Sequence, residues 1–138
     1  MQLAASAYIT DNQGRVLLGR RSDVMLWAPP SGIVQLDETP ATTVVREVQE
    51  ETGLHVEPTR LIGLYTGTEF EWTYPNGDQA RIISAFFACH VTGGVLTPDH
   101  TEFVSLNYFA PDSLPPLMPR YVRMLHDAAA GRQEAVFD

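Results

Sequence analysis

Short apolar blocks recur along the chain, and their periodicity changes from one stretch to the next. Residues 3–10 (LAASAYIT) and 15–21 (RVLLGRR) predict two strands, with residues 11–14 (DNQG) as the turn between them. Residues 27–32 (WAPPSG) predict a loop, because Pro29, Pro30 and Gly32 interrupt regular structure. GIVQL, at 32–36, predicts a short strand. From residue 40 the period becomes helical: Ala41, Val44, Val45 and Val48 fall on one face. Thr39 is a suitable N-cap, Pro40 suits the first helical position, and Gly53 suits the left-handed position that ends a helix. The spacing therefore predicts a helix over 40–52. Strand-like material follows at 54–67. Residues 70–99 predict hairpins, with turns at 75–78 (PNGD) and 92–94 (TGG). A strand at 103–110 and a helix at 119–131, ending at Gly131, complete the series. Helices interspersed among mixed strands predict an α/β (α+β) sandwich. No repeat, low-complexity tract or linker divides residues 1–138, which are expected to form a single domain.

Composition narrows the function. The chain has 138 residues, with 44% hydrophobic residues, and is long enough to bury a core. No run approaches the ~18–20 apolar residues of a membrane span, so no membrane partner is expected. The N-terminus has no basic segment followed by an apolar core, so no signal peptide is expected. The sole cysteine, Cys89, lies in the apolar run AFFACHV and is expected to be a buried, inert thiol, compatible with a reducing cytoplasm. The net charge of −8 argues against a surface for a nucleic acid polymer. Residues 37–51 carry five acids (Asp37, Glu38, Glu47, Glu50, Glu51) against Arg46, half of that net charge. A divalent metal can invert the sign of such a site, which keeps a small phosphate ligand in play. All nine basic residues are arginines, suited to bidentate phosphate contacts or simply reflecting genome composition.

Helical spacing places Glu47, Glu50 and Glu51 within about 100° of one another, beside the apolar face. Like charges so close repel by ~0.2–0.5 kcal/mol per pair. Surface glutamates alone would be unremarkable on a helix, but hard oxygen donors clustered on one rigid element also suit Mg²⁺ with substrate phosphates. The surroundings favour the second reading. The segment GIVQLDETPATTVVREVQEETGL has Gly32, Glu38, Arg46, Glu47, Val48, Glu50, Glu51, Gly53 and Leu54 at fixed intervals over 23 residues. It resembles the complete Nudix box, and looser similarity before and after extends over most of the chain.

The resemblance implies a Nudix fold, a mixed β-sheet sandwiched between helices. It implies Mg²⁺- or Mn²⁺-dependent hydrolysis of a phosphoanhydride bond in a nucleoside diphosphate linked to another group. By family pattern Glu47 and Glu51 are metal ligands, Glu50 is a ligand or the water-activating base, and the Ser31 carbonyl joins the metal shell. Glu38 and Arg46 are implied to hold the loop and helix, with Gly32 and Gly53 present for backbone reasons. Family members are often homodimers, although no interface is apparent in the sequence.

Outside the box, Glu102 is a candidate further ligand or base, or an ordinary exposed loop carboxylate. Arg20 and Arg21 are candidates for substrate phosphates, or solvated strand ends. Trp27, Phe70, Trp72 and Tyr74 are candidates to stack a base, or packing residues. His55, His90, His100 and His126 show no ligand spacing. Ser31, Gln35 and Asp37 depart from the family's commonest surroundings, which bears on loop geometry near the metal. Glu69-Phe70 and Glu71-Trp72 occupy the places where markers for ADP-ribose or dinucleoside polyphosphates often stand, so a nucleoside triphosphate, a nucleotide sugar and ADP-ribose all remain open. The rival reading is a Nudix-fold sensor that binds a nucleotide without cleaving it. Such domains tend to lose box glutamates, whereas this chain keeps all four.

Overall fold

A computed structural model describes residues 1–137. Its strands are β1 (Gln2–Ile9), β2 (Val16–Arg21), β3 (Trp27–Ala28), β4 (Ser31–Ile33), β5 (Leu54–Tyr65), β6 (Glu71–Thr73), β7 (Gln79–Gly94), β8 (Phe103–Phe109) and β9 (Val136–Phe137). The α-helices are α1 (Pro40–Thr52) and α2 (Val122–Ala129), the latter preceded by a 3₁₀ turn at Pro119–Tyr121. Six strands form the main mixed sheet, in the order β4-β1-β7-β5-β9 with β6 added to β7. At its centre β1 runs parallel to β7, while β3-β2-β8 forms a smaller antiparallel sheet.

Alternation along β1 explains how one strand serves two cores. Ala5, Ala7 and Ile9 join Val44 and Val48 of α1 in one apolar cluster. Ala4, on the other face, belongs to the cluster that includes Phe86, Phe103, Met124 and Leu125 of the α2 side. The result is the mixed sheet between helices that the pattern implied. Val44 and Val48 are essentially fully buried, each contributing roughly 1.5–3 kcal/mol of apolar burial. Ala41 and Val45 are only partly buried, because the buried face of α1 is rotated toward Thr43, Glu51 and Thr52.

The helix boundaries follow their local signals. Thr39 caps α1 through a reciprocal box with Thr42, and Gly53 ends it at φ 77°. The PNGD turn closes the β6–β7 hairpin, with the Tyr74 amide donating to the Asp78 carbonyl at 2.8 Å. Elsewhere the structure corrects the sequence reading. Residues 92–94 are not a turn: β7 continues through them and pairs Gly94 with Leu54 of β5. Gly94 is required by crowding, since a Cβ there would lie 2.3 Å from the Gly53 carbonyl oxygen. The strand expected at 32–36 is displaced to Ser31–Ile33, and the loop expected at 27–32 contains β3. The C-terminal helix begins as the 3₁₀ turn, and Gly131 follows it at φ 67°.

Candidate active site

Helix α1 meets the edge of the main sheet where β4 pairs with β1. There the backbone amide of Ser31 donates to Glu51 Oε1 at 3.0 Å, tying β4 to the last turn of α1. Glu51 is 3% exposed, and burial, reinforced by the neighbouring Glu47 charge, pushes its carboxyl up to about 9. Burial also raises Glu47, against the opposing pull of Arg46. Gly32 makes this approach possible: a Cβ there would fall 2.2 Å from the Glu47 carboxyl carbon. The requirement is space, since Gly32 has no left-handed backbone. Gly53 needs both, because its φ is positive and a Cβ would sit 2.3 Å from the Val95 carbonyl oxygen.

Arg46 organises the other carboxylates. Its guanidinium donates from Nε and one terminal nitrogen to the two Glu38 oxygens, at 2.6 and 3.0 Å. Its other terminal nitrogen reaches Glu47 Oε1 at 2.8 Å and Glu50 Oε2 at 3.3 Å. The Arg46 bond, with help from the Gln35 amide and the Thr43 hydroxyl, holds the Glu38 carboxyl down at about 2. Glu38 also bonds both of those partners directly, at 3.1 and 2.9 Å, which fixes the loop before α1. Glu50 remains largely solvent-exposed.

A cleft of about 620 Å³ opens beside this cluster, lined by Glu47, Arg46, Ser31 and Gly32 at one end. Glu102 and Arg21 line it too, 3.9 Å apart, and Arg21 forms a two-point pair with Asp23 at 3.0 Å. The Asp99 carboxylate accepts from the amides of Thr101, Glu102 and Phe103, which fixes the loop bearing Glu102. Phe70 and Trp72 supply aromatic surface to the same cleft. Arg20 and Trp27 are not brought there: they pair across β2 and β3, and Trp27 packs edge-on against Phe109. Arg20 Nε is buried without a partner among the described residues. Tyr74 packs edge-on against Trp72 outside the cleft.

Sequence reasoning missed Ser6, Ser84, Met118, Arg120 and Tyr121, all of which line the cleft. Tyr121 bonds the Ser31 hydroxyl at 3.0 Å, and the Arg120 guanidinium lies 5.9 Å from the Phe70 ring centre. The usable signal was weak: two serines interrupt otherwise apolar strands.

Among the described residues, no three acidic, histidine or cysteine side chains form a ready cation cage. Arg46 lies against Glu47 and Glu50 instead. The donors nevertheless fit a hard divalent cation. Three carboxylates project from neighbouring positions of one helix, and the most deeply buried of them, Glu51, has no cationic partner of its own among the described residues.

Comparison with known proteins identifies the family. Residues 1–128 match the model of the NUDIX domain. A MutT-like protein of Streptomyces ambofaciens is 34% identical over 94% of this chain and 77% of its own length. A putative 8-oxo-dGTP diphosphatase of Bacillus subtilis is 32% identical, over 94% of this chain and 81% of its own. The crystal structure of an ADP-ribose pyrophosphatase from Streptococcus suis superposes with a TM-score of 0.77 at 29% identity, covering 99% of this chain and 98% of that one. On the filled box, the sandwich fold and these similarities, the chain belongs to the Nudix family of pyrophosphohydrolases.

Proposed function

We propose that this pyrophosphohydrolase cleaves a phosphoanhydride bond in a nucleoside diphosphate joined to another group, in a reaction dependent on Mg²⁺ or Mn²⁺. Candidate substrates are a nucleoside triphosphate, a nucleotide sugar or ADP-ribose; relatives named as a putative 8-oxo-dGTP diphosphatase and a putative ADP-ribose pyrophosphatase support the first and the last. Glu47, Glu50 and Glu51, with the Ser31 carbonyl, would hold the metal. Bound there, a divalent ion supplies charge neutralisation to the diphosphate and acidifies water. The observation that carries this reading is the buried Glu51 behind Glu47, which itself lines a cleft that also presents arginines.

Each protein group then has a definable task. Glu38 and the Arg46 fork keep α1 in register with the preceding loop. Arg46 shares its remaining arm between Glu47 and Glu50, so both carboxylates could exchange that contact for a cation, leaving the arm to a phosphate oxygen. Glu50, exposed at the cluster's edge, would serve as a ligand or instead accept the proton of the attacking water; Glu102, on the loop before β8, is the other carboxylate available for that role. Arg21 supplies a guanidinium for the substrate's phosphates.

Incubating the purified chain with nucleoside diphosphate derivatives and Mg²⁺ or Mn²⁺, then separating the products, tests the reading. Metal-dependent turnover abolished by a chelator is expected. Nucleotide binding with no turnover of any member would point to the sensor instead. Heavy-oxygen water identifies the phosphorus attacked.

A further inference from the structure

The floor of the cleft holds two hydroxyls that the cluster of glutamates does not use. Ser6 on β1 and Ser84 on β7 are 1% and 3% exposed, and their Oγ atoms lie 3.2 Å apart. Both line the cleft, on the sheet face that carries Ala4 and Ile82. Two hydroxyls bring two donors, and their mutual bond uses one. Neither makes another side-chain hydrogen bond among the described residues, so the pair keeps one spare donor at two residues that line the cleft. Buried polar groups ordinarily have partners, which makes this surplus informative.

Their position in the sheet says what would use them. Ser6 stands opposite Ser31 in the β1–β4 ladder, one strand spacing of roughly 4.8 Å from the residue that donates to Glu51. Ser84 lies on the adjoining strand β7, where it pairs with Ala4, two positions before the Phe86 that stands opposite Ser6. Two residues further along β7 is Ile82, and two beyond that is Ala80, which pairs with Trp72. Moving away from Glu47, the lining runs from a carboxylate to the two hydroxyls and on to the rings of Trp72 and Phe70. A nucleotide presents phosphate, sugar and base in the same order.

We infer that the buried Ser6–Ser84 pair binds a ribose hydroxyl and makes this chain selective for ribonucleoside over 2′- or 3′-deoxyribonucleoside diphosphate derivatives. The inference rests on the nucleotide reading above and deepens it. A deoxy substrate leaves the surplus donor buried without an acceptor, which penalises it relative to the ribose form.

The test compares kcat/KM for one ribonucleoside diphosphate derivative with its 2′-deoxy and 3′-deoxy counterparts, base and remaining group unchanged. The intact chain is expected to favour the ribose form over at least one counterpart by about tenfold, chiefly through KM. In the double variant Ser6→Ala/Ser84→Ala, which removes both partners together, that ratio is expected to fall to within about twofold of unity. Equal kcat/KM for all three substrates on the intact chain, or a ratio that survives in the double variant, overturns the inference. A double variant that alters preference among bases while leaving the sugar ratio intact overturns it as well. The comparison on the intact chain needs no variant, so a misfolded variant does not protect the idea. Should no derivative be hydrolysed, the hydrolase reading fails separately; calorimetric binding of a ribonucleoside diphosphate against its two deoxy forms then decides the sugar contact.

Discussion

Arg46 makes four hydrogen bonds to three carboxylates, one more than the three donors of a lysine could supply. Lysine at this position would be a point charge unable to grip both Glu38 oxygens while reaching Glu47. The Glu38 carboxyl is held at about 2 against an ordinary value of 4.5, chiefly by this fork. A depressed acid contributes stability above its unfolded value and loses that contribution as pH falls through the folded one. Urea unfolding between pH 4.5 and 2 is therefore expected to show a steeper loss of stability in the wild-type chain than in Glu38→Gln; identical slopes would show that the fork does not couple to folding. Cys89 obeys the opposite logic. Burial pushes its thiol up to about 12, so alkylation at pH 8 is expected to be slow in the native protein and rapid in urea. Equal rates in both conditions would contradict the burial described.

Across an element, α1 separates what local sequence announces from what only packing decides. Thr39, Pro40 and Gly53 mark its ends by their own chemistry, and the helix lies where they indicate. Replacing Thr39 with alanine is expected to cost about 1 kcal/mol in denaturant unfolding. The two box glycines are expected to fail differently. Gly53→Ala adds a Cβ against a carbonyl oxygen at positive φ, so it should lower the melting temperature clearly. Gly32→Ala meets the movable end of Glu47, so its larger effect should be on turnover. Comparable melting losses with unchanged activity in Gly32→Ala would break that distinction. Residues 92–94 show the limit of such reading. A glycine pair suits a turn or a close approach equally well, and only the pairing of β7 with β5 reveals which one operates. The burial of Glu51 was hidden for the same reason. The wheel places it beside the apolar face, but β4 determines that it is covered.

At the scale of the molecule, the sheet supplies an axis that no sequence window contains. Residues from β1, β4, β7, the loop before β8 and the turn before α2 meet in one cleft, although the serines are 78 positions apart. The box was legible because its nine defined positions fall within 23 consecutive residues and each has its own chemical reason. The cleft's remaining lining was not, because Ser6, Ser84 and Tyr121 matter through register and long-range packing. No described helix is long and apolar enough to cross a membrane, and the cleft opens beside the acidic cluster. The net charge of −8 is consistent with the proposed reading, in which a cation stands between this protein and a diphosphate.

The most direct test of that central claim is the turnover of a nucleoside diphosphate derivative by the wild-type chain and by Glu51→Gln, at matched Mn²⁺ concentrations. Wild-type hydrolysis that requires the metal is expected, with a loss in the variant exceeding the ~10–100-fold typical of removing a group that merely supports a ligand. Full activity in Glu51→Gln, or wild-type turnover indifferent to the metal, would contradict it.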